Sequence, residues 1–135
     1  MGGWNVIFYE TEEGVCEVTD FLDGRKASAQ AKAYTWIAKL EEEGPHLPRP
    51  YADILRDGIH ELRIKMSGDQ IRTLYFFVYR DIIVLTHSFI KNTNAVPNEE
   101  IEKALKIQKE FSKRFSKREG LNEILKKSPP RKTGK

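Results

Sequence analysis

Three consecutive extended segments, separated by short turns, occupy the middle of the chain. Residues 59–66 alternate between apolar and charged side chains, which is the period of a strand with one buried face. Residues 71–79 are apolar on both faces, as in a central strand, and residues 82–90 follow after an Arg80-Asp81 turn. This meander restricts the chain to folds that are built around a mainly antiparallel sheet.

One strand and two helices are predicted before the meander. Residues 4–9 are rich in aromatic and β-branched side chains, which is typical of a strand. A short helix is expected to begin near Thr19 or Asp20, and residues 25–43 contain good helix formers with an apolar stripe. Three prolines within residues 45–51 predict an extended connector between the second helix and the meander.

A further helix and a basic tail are predicted after the meander. Pro97 suits the first position of a helix, and the acidic residues that follow it favour the positive end of the helix dipole. The predicted class is therefore α+β, with a mainly antiparallel sheet of about four strands, two N-terminal helices and one C-terminal helix. We expect one domain over residues 1–120 and a flexible basic tail over residues 121–135, of which residues 121–127 can form a short helix.

Charge is distributed unevenly along the chain. Residues 1–60 carry 11 acidic and 6 basic side chains, a net charge of −5, whereas residues 61–135 carry 9 acidic and 17 basic side chains, a net charge of +8. This asymmetry is typical of a face that binds a polyanion, although two ordinary solvated surfaces of opposite sign give the same pattern. The single Cys16, the lack of a leader pattern and the lack of a long apolar run predict a cytoplasmic protein without a membrane partner.

Five side chains along the meander can stabilise charge, transfer protons or stack on bases. Arg63 and Arg72 suit charge stabilisation, because a guanidinium group stays ionised and can bind two phosphate oxygens. His87 can give or take a proton, although an isolated histidine in an apolar strand is more often a hydrogen-bonded core residue. Tyr75 can stack on a base or simply pack in the sheet. Lys91 can act as a base if nearby arginines disfavour its charged form, and otherwise it is a phosphate clamp.

Supporting roles are predicted for other polar residues of the second half. Glu61 stands between basic neighbours and is expected to orient Arg63. Strict alternation along residues 82–90 predicts that His87 shares a face with Ile83 and Leu85. The further candidates for RNA or phosphate binding are Lys65, Arg80, Asn92 and Lys113.

Neither a metal ion nor another cofactor is predicted. A zinc site needs four suitably spaced ligands, whereas the three histidines, His46, His60 and His87, and the one cysteine are scattered. A magnesium nuclease needs clustered carboxylates, which the meander lacks. His60 is also one step out of phase with Arg63, so it is not expected to join the same site.

The order and the amino-acid sequences of these segments resemble the RelE/HigB superfamily of toxins from toxin-antitoxin systems, most closely its phage-derived HigB-like branch. The matching segments are Leu55 with Asp57-Gly58, Ile59 to Arg63, Arg72 with Tyr75-Phe76-Phe77, His87-Ser88-Phe89-Ile90-Lys91, and Pro97 to Ala104. The similarity covers roughly residues 4–115. Each segment is short, and the specificity comes from all five in this order. Asn92 departs from the branch, in which a second lysine is frequent at this point.

The resemblance implies an endoribonuclease that cuts messenger RNA in the ribosomal decoding site and is silenced by a cognate antitoxin, which in this branch often carries a helix-turn-helix DNA-binding domain. Metal-free RNA cleavage needs a base for the ribose 2′-hydroxyl, cations for the phosphorane and an acid for the departing 5′-oxygen. The five residues of the meander can fill these roles, and the choice of base and acid stays open. The alternatives are a ParE-like toxin that inhibits DNA gyrase without catalysis, and a basic nucleic-acid-binding module whose affinity falls steeply with salt.

Overall fold

A five-stranded sheet forms the middle layer of the protein in a computed structural model that describes residues 3–66 and 68–125. The strands are β1 (Asn5–Phe8), β2 (Ala52–Arg56), β3 (Ile59–Lys65), β4 (Gln70–Val78) and β5 (Ile82–Ile90). Their order across the sheet is β1, β5, β4, β3, β2, with β1 parallel to β5 and the other pairs antiparallel. The predicted α+β class and the central position of β4 are confirmed.

Helices cover both faces of the sheet. The helices are α1 (Glu17–Asp23), α2 (Ala27–Glu43), α3 (Asn98–Arg114) and α4 (Arg118–Leu125), and a short 3-10 turn at Gly44–His46 follows α2. One core cluster joins α1 and α2 to Leu62 and Ile64 of the sheet, and a second joins α3 and α4 to Leu74 and Phe76. The sheet therefore has an α1/α2 face and an α3/α4 face, and both are packed.

The edge strand β2 is the element that the sequence analysis missed. It forms a hairpin with β3 across Asp57 and Gly58, whose φ angles are 53° and 84°. Positive φ at both central residues defines a two-residue type I′ turn, for which Asp-Gly is a preferred pair. The prolines of residues 45–51 therefore lead into a short edge strand and not directly into β3.

A β-bulge at Thr86 changes the face on which the side chains of β5 lie. Leu85 pairs with Tyr75 and His87 pairs with Leu74, so the register shifts by one residue at Thr86. Beyond the bulge, odd-numbered residues of β5 lie on the α3/α4 face, whereas before it they lie on the α1/α2 face. The prediction that His87 shares a face with Leu85 is therefore wrong, because it assumed unbroken alternation.

Helix α4 continues the packed structure beyond residue 120. Leu121 is fully buried against the α3/α4 core, so residues 121–125 of the predicted tail are part of a folded helix. The rest of the predicted tail, residues 126–135, lies outside the described residues. In the part of the chain that the structure describes, no helix is both long and apolar enough to cross a membrane.

Gly44, directly after α2, packs closely against Trp4, which precedes β1. Its φ of 56° and ψ of −130° are rarely adopted by residues with a side chain, and a Cβ there would lie only 2.2 Å from Trp4 Nε1. Trp4 packs edge-to-face on Phe77, which limits its movement. We expect Gly44→Ala to lower the free energy of unfolding, measured by urea denaturation, by more than about 2 kcal/mol.

Gly14→Ala is the matched control for this substitution. Gly14 also has a positive φ, 91°, but no atom lies within 4 Å of a Cβ built there. We expect this change to cost only the backbone strain, about 1 kcal/mol. Equal losses for the two variants would show that the contact with Trp4 is unimportant.

Candidate functional site

Nine side chains form a regular array on the α3/α4 face at one end of the sheet. Cross-strand pairing places them in three rows, which are Lys65, Gln70 and Lys91, then Arg63, Arg72 and Phe89, then Glu61, Leu74 and His87. Lys91 lies one residue beyond β5 and continues the ladder, because its N–H donates to the Gln70 carbonyl at 2.8 Å. Alternate residues of a strand share a face, and the bulge at Thr86 brings β5 into phase with β4. We call these nine residues the cationic array.

A buried carboxylate holds the two arginines of the array. Glu61 is 3% exposed, and its Oε2 accepts hydrogen bonds from Arg63 Nε at 3.0 Å and Nη2 at 2.8 Å. Its Oε1 accepts a hydrogen bond from Arg72 Nε at 3.0 Å. Arg63 and Arg72 are directly opposite each other on β3 and β4, where like charges repel. Glu61 compensates part of that repulsion, so it orients Arg72 as well as Arg63.

The two guanidinium groups differ in their access to solvent. The Arg63 side chain is 30% exposed, and its Nη2 also donates to Asp53 at 3.2 Å. The Arg72 side chain is 8% exposed, and its Nη2 donates to Gln70 Oε1 at 3.0 Å. Burial lowers the pKa of Arg72, while the adjacent Glu61 carboxylate opposes that change. Arg63 can therefore contact a ligand, and Arg72 contributes a fixed charge behind it.

Two lysines flank Gln70 in the outermost row of the array. Lys65 is exposed and Lys91 is half-buried. Within residues 3–66 and 68–125, neither ammonium group takes part in a hydrogen bond or an ion pair. Both can therefore bind an anionic ligand without breaking a contact inside this part of the chain.

His87 belongs to the array but lies beneath its surface. The residue is 2% exposed, its Nε2 lies 2.9 Å from Glu100 Oε1, and its Nδ1 lies 3.0 Å from Thr86 Oγ1. Burial lowers the pKa of His87, and the hydrogen bond to Glu100 partly opposes this. A neutral ring can donate its Nε2 proton to Glu100, and its Nδ1 then competes with the Leu74 carbonyl, 3.1 Å from Thr86 Oγ1, for the single hydroxyl proton of Thr86. This is the environment of a hydrogen-bonded core histidine that ties α3 to the sheet.

Tyr75 lies on the opposite face of the sheet from the arginines. It is 2% exposed, its ring stacks on His60 with centroids 5.2 Å apart, and Phe77 packs edge-on at 5.7 Å. Burial raises the pKa of Tyr75. The structure therefore does not bring Tyr75 together with Arg63 and Arg72, whereas His60 is out of phase with Arg63 as expected.

The four further phosphate-binding candidates divide between the two ends of the sheet. Lys65 is in the array, and Asn92 is exposed directly after Lys91. Arg80 lies in the turn after β4, and Lys113 lies beside the C-terminal end of β4. The nine residues of β4 span about 27 Å, so Arg80 and Lys113 are too far from the outermost row to bind the same phosphate.

Sequence reasoning also missed an aromatic pair at the edge of the sheet, whose Trp36 packs against the α1/α2 core and whose Tyr51 contacts Arg63 through its main chain. The Tyr51 ring stacks on Trp36 with centroids 4.7 Å apart, and Tyr51 is 41% exposed. The Tyr51 carbonyl accepts the Arg63 main-chain N–H at 2.8 Å, and Arg63 Nη1 approaches the Pro50 carbonyl at 3.5 Å. Tyr51 follows three prolines in a segment without periodicity, so no sequence pattern indicated its position.

The carboxylates nearest the array already have partners. Glu61 binds both arginines, and Asp53 pairs with Arg63 and with Arg49 Nε at 3.1 Å. Partial burial favours a higher pKa for Asp53, but the main-chain N–H of Ile54, the hydrogen bond from Arg49 and the charges of both arginines outweigh it and lower that pKa. Among the described residues, no three histidine, cysteine or carboxylate side chains gather into a group that could hold a metal ion.

A family model matches two thirds of the chain. Its description is phage derived protein Gp49-like (DUF891), and it matches residues 20–109, which are 90 of the 135 residues. The chain belongs to this Gp49-like family. The family is associated with RelE-like toxins of toxin-antitoxin systems, and the matched residues include the whole cationic array. No curated protein matches the sequence of this Gp49-like chain.

The buried network of the Gp49-like protein can be tested by removing its carboxylate. Glu61→Leu leaves Arg72 buried without its charged partner, and we expect a loss of about 3–5 kcal/mol in the free energy of unfolding, measured with urea. The double variant Glu61→Leu, Arg72→Met also removes the unpaired buried charge of Arg72, so its free energy of unfolding should decrease much less. A double variant as unstable as the single one would show that the carboxylate acts through packing alone.

Buried His87 and half-buried His60 predict that the protein loses stability in mild acid. Burial lowers the pKa of both His60 and His87 in the folded state. As the pH falls below about 6.5, the unfolded chain takes up protons that the folded chain does not, so the free energy of unfolding decreases. We expect His60→Phe, which keeps the stacking on Tyr75, to reduce this decrease between pH 7 and pH 5.

The control for the acid effect is the exposed histidine of the 3-10 turn. His46→Gln removes one histidine without disturbing a buried contact. Urea midpoints measured across this pH range should therefore separate His60→Phe from His46→Gln. Identical pH profiles for wild type and His60→Phe would contradict a role for His60.

Proposed function

We propose that this Gp49-like protein is the toxin of a type II toxin-antitoxin system, of the HigB-like kind, and that it cleaves messenger RNA on the ribosome. The observation that carries the proposal is the cationic array, in which two arginines fixed by one carboxylate lie beside two lysines that have no partner among the described residues. RNA cleavage builds negative charge on a phosphorus centre, and cations that are already in place stabilise that charge most effectively. The association of the family with RelE-like toxins supports the same reading.

Cleavage in this proposal proceeds by attack of the ribose 2′-hydroxyl on the adjacent phosphate. The 2′-oxygen forms a bond to phosphorus and releases its proton to water, the bond to the 5′-oxygen breaks and that oxygen takes up a proton from water, and the products are a cyclic phosphate and a free 5′-hydroxyl. Arg63 and Lys91 are the groups that contact the phosphate oxygens, because both are accessible on the array surface. Arg72 adds positive charge from behind without touching the substrate.

Proton transfer is the step for which the array offers the fewest groups. His87 is enclosed between the sheet and α3, and Glu61 is fully engaged by the arginines. The prediction that Lys91 acts as a base assumed that the positive charges of the two nearby arginines are not compensated. Glu61 binds both arginines. The alternative role of Lys91, in which it holds the phosphate, therefore fits better. Such a site is effective if the ribosome aligns the 2′-hydroxyl with the phosphate. We therefore propose that the protein is nearly inert on free RNA.

Tyr51 takes the stacking role that the sequence analysis gave to Tyr75. Its ring stacks on Trp36, which packs against the α1/α2 core, whereas its main-chain carbonyl and that of Pro50 contact Arg63. An exposed ring at the edge of a phosphate-binding surface can bind a neighbouring nucleotide, because every base has a flat face that can stack on it. In this proposal Tyr51 contacts a nucleotide next to the cleaved bond.

The partners in this proposal are the ribosome with its message and a cognate antitoxin. An antitoxin with a helix-turn-helix DNA-binding domain would neutralise the array with acidic side chains or block its approach to the ribosome. Both arrangements imply a cytoplasmic protein. The geometry of the cationic array is compatible with both modes of inhibition, neutralisation by acidic side chains and blocked access to the ribosome.

A ParE-like inhibitor of DNA gyrase is the second candidate function. The observation that favours it is the burial of His87 and Tyr75, which removes two of the five predicted catalytic groups from the surface. A supercoiling assay with purified gyrase separates this candidate from the first. Inhibition of supercoiling without any cleavage of messages on ribosomes would replace the nuclease proposal.

Lys91→Met is the decisive variant for the nuclease proposal, because the Lys91 ammonium group makes no hydrogen bond or ion pair among the described residues that its loss would break. Arg72 is a poor test, since its removal also leaves Glu61 buried without one partner. On ribosomes loaded with a defined message, we expect Lys91→Met to slow cleavage at least about 100-fold, measured by primer extension. Lys106→Met, an exposed lysine of α3, is the matched control and should cleave at the wild-type rate. Equal rates for both variants, or no codon-phased cuts by the wild type, would reject the proposal.

A further inference from the structure

Strand β1 is an edge strand with one open side. Its parallel pairing with β5 uses the main-chain groups of odd-numbered residues, because Asn5 N–H donates to Asp81 at 2.8 Å and Tyr9 N–H donates to Leu85 at 3.0 Å. The main-chain groups of even-numbered residues therefore point away from β5.

The open side of β1 carries two residues with unused hydrogen-bonding groups. Trp4 N–H, on the same side, donates to the Glu41 carbonyl near the end of α2 at 2.7 Å. Val6, which is half-buried, and Phe8, which is 4% exposed, follow at the next two positions of that side, and neither main chain has a hydrogen-bond partner there within the part of the chain that the structure describes. A row of N–H and C=O groups of this kind is a template for another strand.

A groove of about 540 Å³ runs along this open side. It lies between β1, the end of α2, the loop after β1, the C-terminal end of α3, and α4. Four side chains give it an apolar wall, and they are Phe111, Phe115, Ile124 and Leu125. The volume is in the range of sites that enclose a ligand, and the unused main-chain groups suit a peptide backbone.

The rim of the groove is acidic. Glu10, Glu12 and Glu123 line it and are exposed, and none of the three carboxylates takes part in an ion pair among the described residues. Arg114 is the one basic residue among the described residues that line the groove. It pairs with Glu110 at 3.2 Å and donates to a main-chain carbonyl, so its charge is already compensated.

We propose that this groove binds an extended segment of a protein partner that carries lysine or arginine side chains, and that the segment adds to β1 as a sixth strand. The main chain of the segment bonds to Val6 and Phe8, its apolar side chains contact the wall formed by α3 and α4, and its basic side chains meet the acidic rim. The groove borders the first half of β5, whereas the cationic array lies at the end of β5, so this site is separate from the proposed phosphate site.

The test uses a synthetic peptide of the required chemistry on the 135-residue chain. The probe is an acetylated and amidated heptapeptide, Lys-Val-Lys-Val-Thr-Val-Lys, and its twin with glutamate in place of lysine is the charge control. We expect the basic peptide to slow hydrogen exchange at the Val6 and Phe8 amides at least tenfold at saturation, measured by NMR. The acidic twin should leave both exchange rates unchanged.

Val6→Pro removes an N–H on the open side and leaves every hydrogen bond to β5 in place. We expect this variant to bind the basic peptide at least tenfold more weakly, and Val6→Thr, which keeps the N–H, to bind it like the wild type. If Val6→Pro does not fold, Glu12→Lys tests the same site from its exposed rim and should weaken binding at least threefold.

Three results would overturn the proposal. The first is wild-type affinity in both Val6→Pro and Glu12→Lys, and the second is peptide binding without protection of the Val6 and Phe8 amides. The third is binding that occurs only in a variant of the 135-residue chain whose five basic residues within 126–135 are changed to glutamine, which would assign the groove to those residues of the chain itself. None of these measurements involves RNA, so their outcome is independent of the nuclease proposal.

Discussion

The Glu61 carboxylate binds Arg63 and Arg72 from a single buried position, and the cationic end of the sheet depends on this contact. The two arginines are cross-strand partners, so their Cα atoms are only about 5 Å apart, and their charges would otherwise repel across the ladder. Because Asp53 also pairs with Arg63, the net positive charge of this surface comes mainly from Lys65 and Lys91, which have no ion-pair partner among the described residues. The same carboxylate makes the network fragile, because removal of Glu61 leaves Arg72 buried without a charged partner.

Most of the fold follows from local sequence patterns. The turns of the meander and the two-sided burial of residues 71–78 are visible as periodicity, and α2 begins and ends close to its predicted limits. Strand β2 was missed because it is five residues long and follows three prolines. The useful signal was Asp57-Gly58, a pair that favours a type I′ hairpin and therefore implies a strand on each side.

The candidate site was only partly predictable, and the reasons differ between residues. Arg63 and Arg72 lie together because a tight turn sets the register of β3 and β4. Tyr75 is three residues beyond Arg72, an odd spacing that places it on the opposite face, and this signal was available in the sequence. The burial of His87 depends on how α3 crosses the sheet, which is a tertiary arrangement that no local pattern encodes.

The bulge at Thr86 also determines how relatives of this protein should be compared. Counted from the turn at Asp81 by strict alternation, Lys91 belongs to the face that α1 and α2 cover, whereas the inserted residue moves it next to Gln70. A family member with one residue fewer between the turn and this lysine, and without a bulge, would carry the same ammonium group in the same place. Alignments of this strand are therefore best anchored at its C-terminal end, where a single gap reflects backbone geometry and not the loss of a functional group.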